Sequence, residues 1–147
     1  MDDHMIRMIQ LSQKGYVCSQ IIMQLGLDMR GEENFSLIRA MAGLGLGCGS
    51  GKATCGALTG GASLLALFAG KGSDEEIESD RFILMLQQLD EWFSQNIGAR
   101  HNGVSCESIV GKDVSAIPMQ HCGQIVSDTF AKCVEILLEN GFDLSGQ

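Results

Sequence analysis

The six cysteines of this chain are the residues best suited to chemistry, and their spacing excludes the common local motifs. No two of them form a Cys-x-x-Cys pair, so neither an ordinary zinc ribbon nor a bacterial ferredoxin repeat is supported. Any shared site must therefore be assembled from distant segments of the chain. The cysteines are Cys18, Cys48, Cys55, Cys106, Cys122 and Cys133.

Four of these cysteines are predicted to lie near the start of a helix. Unpaired amide donors and the helix dipole at that end favour thiolate over thiol, and thiolate is the form that attacks disulfides and binds metals. Two of the four directly follow a hydroxyl residue that can cap a helix. We therefore predict a metal-binding or redox site formed by Cys18, Cys55, Cys106 and Cys122.

The other two cysteines have different surroundings. Cys133 lies three helical turns after Cys122, so the two would stand about 16 Å apart on one face of a helix at 1.5 Å per residue. Cys133 also falls in an apolar stripe, which predicts a core residue. Cys48 lies in a glycine-rich loop close before Cys55. If that loop folds back, Cys48 is a further ligand or a resolving thiol, and otherwise it is a bystander.

Two histidines are near these cysteines in the sequence. His121 adjoins Cys122, and His101 precedes Cys106 by five residues. Either imidazole could orient or replace a sulfur ligand. The commoner role for such a residue is an exposed histidine in a loop or at a helix start.

The glycine-rich loop alternates glycine with other residues from Gly43 to Gly51. Such a segment can adopt positive φ at many positions and brings its backbone close to whatever it wraps. It does not fit the dinucleotide-binding pattern, and Lys52 is followed by Ala53 where a phosphate loop requires Ser or Thr. We expect the loop to give backbone N–H donors to the sulfurs of a bound centre.

Helices are the only regular elements that the rest of the sequence predicts. Asn34, Thr54 and Ser105 are expected N-caps, Ser73 and Glu76 form an expected capping box, and a proline fits the first turn of the last helix. The fold class is therefore all-α, a compact single-domain bundle of about six helices over 1–147 with the glycine-rich loop before its central helix. The expected helices cover about 3–14, 16–26, 35–42, 55–69, 73–96, 106–110 and, from Pro118, about 118–139.

The central helix is unusually free of charge. Residues 53–70 carry no charged side chain, and that length is close to what a membrane span needs. Its many small residues favour a helix buried by its neighbours instead. Gly56, Gly60 and Gly61 leave one side nearly bare, so another helix, a cofactor or a second copy in a homodimer could approach there.

Composition narrows the partners and the compartment. The chain of 147 residues has a formal net charge of −8 and no basic cluster, which argues against nucleic-acid binding. The acidic N-terminus has no apolar run behind it, so no secretory signal is visible. We therefore expect a cytoplasmic protein without a membrane insertion, whose thiols are free, metal-bound or redox-active.

The segment from Thr54 to Gly60, Thr-Cys-Gly-Ala-Leu-Thr-Gly, resembles the Cys-Gly-Ala-x-x-Gly signature of a family of small redox-active proteins. That family is named for its cysteine pattern, C_GCAxxG_C_C. The order of the cysteines and the preceding glycine loop extend the resemblance over about residues 5–138. Cys18-Ser19-Gln20 is similar to the first cysteine of the pattern, Cys106 with Glu107 and Val110-Gly111 to the third, and Cys122 to the fourth.

This resemblance implies a redox role without fixing a reaction. A related cysteine-bearing region in split-Soret cytochromes is associated with an iron–sulfur cluster, so the same four cysteines would be cluster ligands here. Three hypotheses follow: a cluster-binding protein of electron transfer or accessory to a redox enzyme, a thiol–disulfide redox protein without metal, and a helical interaction module with zinc or another structural metal. Each of the first two requires a redox partner protein.

Overall fold

Helices make up the regular structure of the chain, as the sequence predicts. The computed structural model describes residues 3–111 and 122–145, and no β-strand is present among them. A 3₁₀ turn follows α3, and a π-helical turn joins α5 to α6. The helices are α1 Asp3–Gln13, α2 Cys18–Arg30, α3 Phe35–Met41, α4 Gly56–Ala69, α5 Phe82–Phe93, α6 Ala99–His101, α7 Cys106–Val110 and α8 Gly123–Glu139.

The central helix α4 is enclosed by α2, α5 and α8. Leu64 and Leu65 of α4 are fully buried. A Cβ placed on Gly60 would lie 2.9 Å from the Cα of Ser19 in α2, and one on Gly61 would lie 3.0 Å from the sulfur of Cys133 in α8. The nearly bare side of this helix is therefore filled by other helices of the same chain.

The membrane alternative for this segment is not supported. Within the part of the chain that the structure describes, no helix combines the length and the apolar character that crossing a membrane requires.

The predicted end of α2 at Gly26 is wrong. The helix continues to Arg30 and ends where Gly31 adopts a left-handed conformation, with φ of 66°. A Cβ at Gly26 would collide with the Leu64 side chain of α4, so this glycine provides close packing between helices and does not stop one.

The capping box predicted at Ser73 is also wrong, and α5 begins nine residues later, at Phe82. The Glu76 side chain accepts a hydrogen bond from the Gly72 amide at 2.8 Å instead of closing a helical turn. Residues 74–80 hold five carboxylates, and Ile77 is exposed. A helix there would gain like-charge repulsion and no buried face, so it does not form. The helix starts where the buried stripe begins.

The long helix predicted to end near Asn96 changes character before that residue. Ile97 is buried in the π-helical turn Ser94–Gly98. The chain then folds back so that a later residue packs against Gly98. A Cβ on Gly98 would lie 2.9 Å from the Val104 side chain. This close approach sets the path of the segment that leads into α7.

The last helix ends as predicted, at Glu139 followed by Asn140 and Gly141. Its described part begins at Gly123. The predicted start at Pro118, and His121 with it, lie outside the described residues.

Cys133 is a core residue, as its apolar stripe predicts. Its side chain is fully buried, its sulfur lies 3.6 Å from the Gly61 carbonyl oxygen, and burial raises its pKa from 9.0 to about 12. The folded chain thus holds this thiol in its neutral form.

We expect the free energy of unfolding of the reduced, metal-free protein to fall as the pH rises above about 9. The pKa of Cys133 is about 12 and that of Cys55 about 11, whereas the usual value is 9.0. Between pH 9.0 and the raised pKa of each thiol, the unfolded chain has lost a proton that the folded chain still binds. The stabilisation by the two protonated thiols is therefore complete below pH 9.0 and is lost as the pH rises through about 11 and about 12. Each buried thiol contributes up to about 1.4 kcal/mol per pH unit.

Urea unfolding in reductant at about pH 8 and about pH 10 measures this loss. Cys133→Ala removes one of the two thiols, so the variant should lose less stability over the same interval. A wild-type stability that stays constant between the two pH values contradicts the prediction.

Candidate functional site

The structure confirms the shared placement of four cysteines at helix N-termini. Cys18 and Cys106 are the first residues of α2 and α7, and Cys55 and Cys122 immediately precede α4 and α8 as N-caps. Because Cys55 itself takes the N-cap position of α4, the predicted cap at Thr54 is wrong. Thr54 instead forms an isolated antiparallel bridge with Ser105. We call these four residues the four-cysteine site.

Cys18 and Cys122 are the most strongly linked members of the site. Hydrogen bonding to the Cys122 side chain, and then burial, raise the pKa of Cys18 well above its usual value, with further contributions from the charges of the other three cysteines. The same hydrogen bond lowers the pKa of Cys122, and burial opposes it. Cys18 is therefore the proton donor of this pair and Cys122 carries the thiolate first.

Cys55 and Cys106 are both buried and interact with the same pair. Burial, opposed by the amides of Ala57 and Leu58 and aided by charge on Cys122 and Cys106, raises the pKa of Cys55 to about 11. Cys55 makes no cap hydrogen bond of ordinary length, yet those two amides are close enough to act on its sulfur. Burial and then charge on Cys122 raise the pKa of Cys106. All four thiols thus share one electrostatic environment.

Backbone hydrogen bonds place Cys55 beside Cys106. The Cys55 amide donates to the Val104 carbonyl at 2.7 Å, and the Cys106 amide donates to the Ala53 carbonyl at 3.1 Å. With Thr54 opposite Ser105, the two cysteines are diagonal neighbours across this bridge, which holds them near each other.

The residues that follow Cys18 fix the start of α2 against α3. The buried Ser19 hydroxyl donates to the Met41 carbonyl at 2.7 Å. The Gln20 amide group donates to the Ile38 carbonyl at 3.1 Å, and its oxygen accepts the Val17 amide at 3.1 Å. Sequence reasoning missed both positioning roles. A glutamine at the third helical position, which typically bonds back to the cap, was the available signal for Gln20.

A glycine allows close approach between the helix starts that carry Cys18 and Cys55. A Cβ on Gly56, the first residue of α4, would lie 3.5 Å from the Cβ of Cys18 and 3.3 Å from the Leu44 carbonyl oxygen. The N-termini of α2 and α4 therefore meet at van der Waals distance, which places Cys18 next to the residue that follows Cys55.

The glycine-rich loop packs directly on Cys106 through a left-handed turn. Four successive residues, Leu46 to Gly49, have φ between 55° and 84°, and the Gly49 amide donates to the Gly45 carbonyl at 3.2 Å. A Cβ on Gly47 would lie 2.8 Å from the Cβ of Cys106. Leu46 and Cys48 tolerate this conformation at a cost of about 1–2 kcal/mol each.

Three amides of the glycine-rich loop already have partners within the chain. Those of Gly45, Gly49 and Gly51 donate to the carbonyl oxygens of Ala42, Gly45 and Leu46. The structure therefore does not support a role for these three amides as donors to a bound centre. A further part of the loop holds α7, because the Gly51 carbonyl accepts the Glu107 amide at 2.8 Å. The loop thus acts as a support for Cys106.

The remaining candidates lie apart from the four thiols. Cys48 is exposed and contributes to none of their pKa shifts. His101, half-buried at the end of α6, contributes to none of them either. The structure therefore gives no support to Cys48 or His101 as a member of the site.

The four-cysteine site does not have the geometry of a finished single-metal site. Among residues 3–111 and 122–145, no three or more His, Cys, Asp or Glu side chains are gathered closely enough to hold one metal ion. The four thiols nevertheless act on one another electrostatically.

Four mutually interacting cysteines at helix N-termini, two of them buried, define a small all-α thiol protein. A family model described as "Putative redox-active protein (C_GCAxxG_C_C)" matches residues 16–136, and the chain belongs to this redox-active family. The match includes all members of the four-cysteine site, so the resemblance seen in the sequence is confirmed. Neither the search of curated proteins nor that of solved structures found a protein matching this chain.

Proposed function

We propose that the four-cysteine site binds an iron–sulfur cluster and that the protein serves in electron transfer or as an accessory to a redox enzyme. The observation that supports this best is the mutual interaction of the four thiols, each of which shifts the pKa of at least one other. Four thiolates are the usual ligand set of [2Fe–2S] and [4Fe–4S] centres. The redox-active family of the chain supports the same conclusion.

The surroundings of the four thiols suit a negatively charged centre. Each cysteine lies at the positive end of a helix, and two amides of α4 act on the sulfur of Cys55. Cys55 and Cys106 are buried, so water is largely excluded on their side. When bound, a cluster supplies one-electron oxidation and reduction. The chain supplies thiolate ligands, helix dipoles and a side shielded from water, which together set the reduction potential of the cluster.

Anaerobic purification, followed by reconstitution with ferrous iron and sulfide, tests this proposal. We expect a coloured protein that contains iron and acid-labile sulfide in equal amounts. The matched control is treatment with zinc alone, which should leave the protein colourless because zinc has no partly filled d shell. A colourless product, from protein in which all four cysteines are shown to be reduced, would contradict the proposal.

A second candidate function is thiol–disulfide exchange, favoured by the direct interaction between Cys18 and Cys122. In this reaction the Cys122 thiolate attacks a disulfide of a partner protein, and the Cys18 thiolate then displaces that partner. The two thiols lose two protons and two electrons as their sulfurs bond, and the partner disulfide takes up both to become two thiols.

Thiol trapping in a glutathione redox buffer distinguishes this candidate from the first. We expect a reversible loss of two hydrogens that peptide mapping assigns to Cys18 and Cys122, in a Cys48→Ser background that removes the exposed thiol. The Cys122→Ser variant should abolish this loss. If no pair forms, or if the bond joins other cysteines, the exchange reaction is excluded.

A further inference from the structure

Ile77 and Phe35 are the most exposed large apolar side chains of the described residues, at 92% and 73%. Single exposed apolar residues are normal on protein surfaces. These two side chains differ from such cases because charged residues lie beside each, negative ones beside Ile77 and a positive one beside Phe35. Ile77 lies among carboxylates and Phe35 lies beside an arginine.

We call residues 74–80 the acidic knob. The knob carries five carboxylates around Ile77, and none of them is in an ion pair among the described residues. Its path is held by two hydrogen bonds, from the Gly72 amide to Glu76 at 2.8 Å and from the Ser79 amide to the Ala69 carbonyl at 2.9 Å. Ile77 therefore projects from an anchored segment with an unneutralised negative rim.

The aromatic groove lies on the other side of α3 and has a volume of about 350 Å³. Phe35 and Tyr16 form its exposed aromatic wall. The Arg39 guanidinium has no ion pair and no hydrogen bond within the described chain. Aromatic residues and arginine are enriched at protein interfaces. The groove is lined by Tyr16, Gln20, Gln24, Phe35, Ile38 and Arg39.

An apolar groove of about 570 Å³ separates α3 from the acidic knob. Leu37 and Met41 of α3 form one wall of it, and Glu76 and Glu78 of the knob lie on the opposite wall. Since Ile38 and Arg39 lie on the other side of the same helix, the knob and the aromatic groove flank α3. Both features are therefore within reach of one contact with a second molecule.

We propose that the protein forms a two-fold dimer in which Ile77 of each copy enters the aromatic groove of the other. The carboxylates around Ile77 then pair with Arg39 of the second copy. A two-fold contact uses the same surface of both subunits, so a knob and a groove of opposite charge on either side of one helix are self-complementary. A standard interface buries about 800 Å² per partner, and covering the apolar groove between the two features supplies area that one isoleucine cannot.

This dimer does not use the small-residue side of α4. That side, expected from the sequence as a place for a second copy, is occupied within the chain by α2 and α8. The contact proposed here lies on α3 and on the segment before α5. The contact does not involve the four-cysteine site, so the result of testing the dimer does not affect the proposed function.

Sedimentation velocity on the full chain, with two complementary charge variants, tests the dimer. Wild type should sediment as a dimer at micromolar concentration. The Arg39→Glu variant should be monomeric, because a carboxylate then faces the acidic knob in both contacts. The Glu75→Lys/Glu78→Lys variant should also be monomeric, because two lysines then lie near Arg39 in both contacts; each variant should weaken association by more than about tenfold. An equimolar mixture of the two should regain the dimer, since the introduced glutamate then faces the introduced lysines and the unchanged knob faces Arg39.

Ile77→Ser should also weaken the dimer, and Leu138→Ser, which alters an exposed leucine of α8, is the matched control that should not. All of these side chains are exposed, and circular dichroism verifies that the variants keep their helices. A monomeric wild type, a dimer that the variants leave intact, or a mixture that remains monomeric would each overturn the proposal.

Discussion

Serine in place of any one of the four site cysteines is expected to lower the iron retained after reconstitution by more than about tenfold. Loss of a residue that only orients a ligand commonly weakens metal binding by about 10–100-fold, and loss of a ligand removes a bond to iron itself. The effect should be largest at Cys55 and Cys106, whose buried positions leave no room for water to replace the missing sulfur. Iron and sulfide analysis of each reconstituted variant measures it.

The other two cysteines provide matched controls for these variants. Cys48→Ser changes an exposed thiol outside the site, and Cys133→Ala changes a buried one in the core. Both variants should keep the iron content of the wild type. Equal loss of iron from a control and from a site variant would mean that the four cysteines are not the ligand set.

A single methyl group on α4 is expected to disturb both the fold and the site. Alanine at Gly60 gains about 1 kcal/mol of intrinsic helix propensity. Its Cβ, however, would lie 2.9 Å from the Cα of Ser19, and backbone atoms cannot turn away as a side chain can. Overpacking of this kind costs about 1–3 kcal/mol and must move α2 off α4. Because Cys18 precedes Ser19, the movement also displaces a site cysteine.

We therefore expect Gly60→Ala to lower the free energy of unfolding by up to about 2 kcal/mol and to reduce iron retention. Urea unfolding and iron analysis measure the two effects. Gly43→Ala is the control, since a Cβ there meets no atom within 4 Å, and its stability should change by less than about 0.5 kcal/mol. A stabilised Gly60→Ala protein would show that helix propensity outweighs the contact with α2.

Local features of the fold were predictable wherever a short-range interaction decides them. Asn34 accepts the Leu37 amide at 3.0 Å and Ser105 accepts the Ser108 amide at 3.1 Å, so both predicted caps are confirmed. Ser73 is also a residue type that caps helices, but the residues after it have no buried face to stabilise a helix. Residue types alone could not separate the two cases, because the difference lies in what the following turn packs against.

The placement of the four cysteines at helix starts was predictable from the sequence, but their contacts with one another were not. Helix start signals act over a few residues, so no knowledge of the tertiary structure was needed for the placement. The direct interaction of Cys18 with Cys122 depends on how α2 lies against α8, and the support of Cys106 by Gly47 depends on a left-handed turn. Both arise from long-range packing, for which a single sequence contains no periodic signal.

The wide spacing of the four cysteines along the chain has a consequence for biosynthesis. Cys122 leaves the ribosome only after α1–α7 have been made, so a complete ligand set exists only late in translation. A centre bound to all four would then close long loops of chain and lower the entropy of the unfolded state. Cells that load the centre slowly would hold a newly made chain without those cross-links, more open to proteolysis, so its abundance would follow the supply of iron and sulfide.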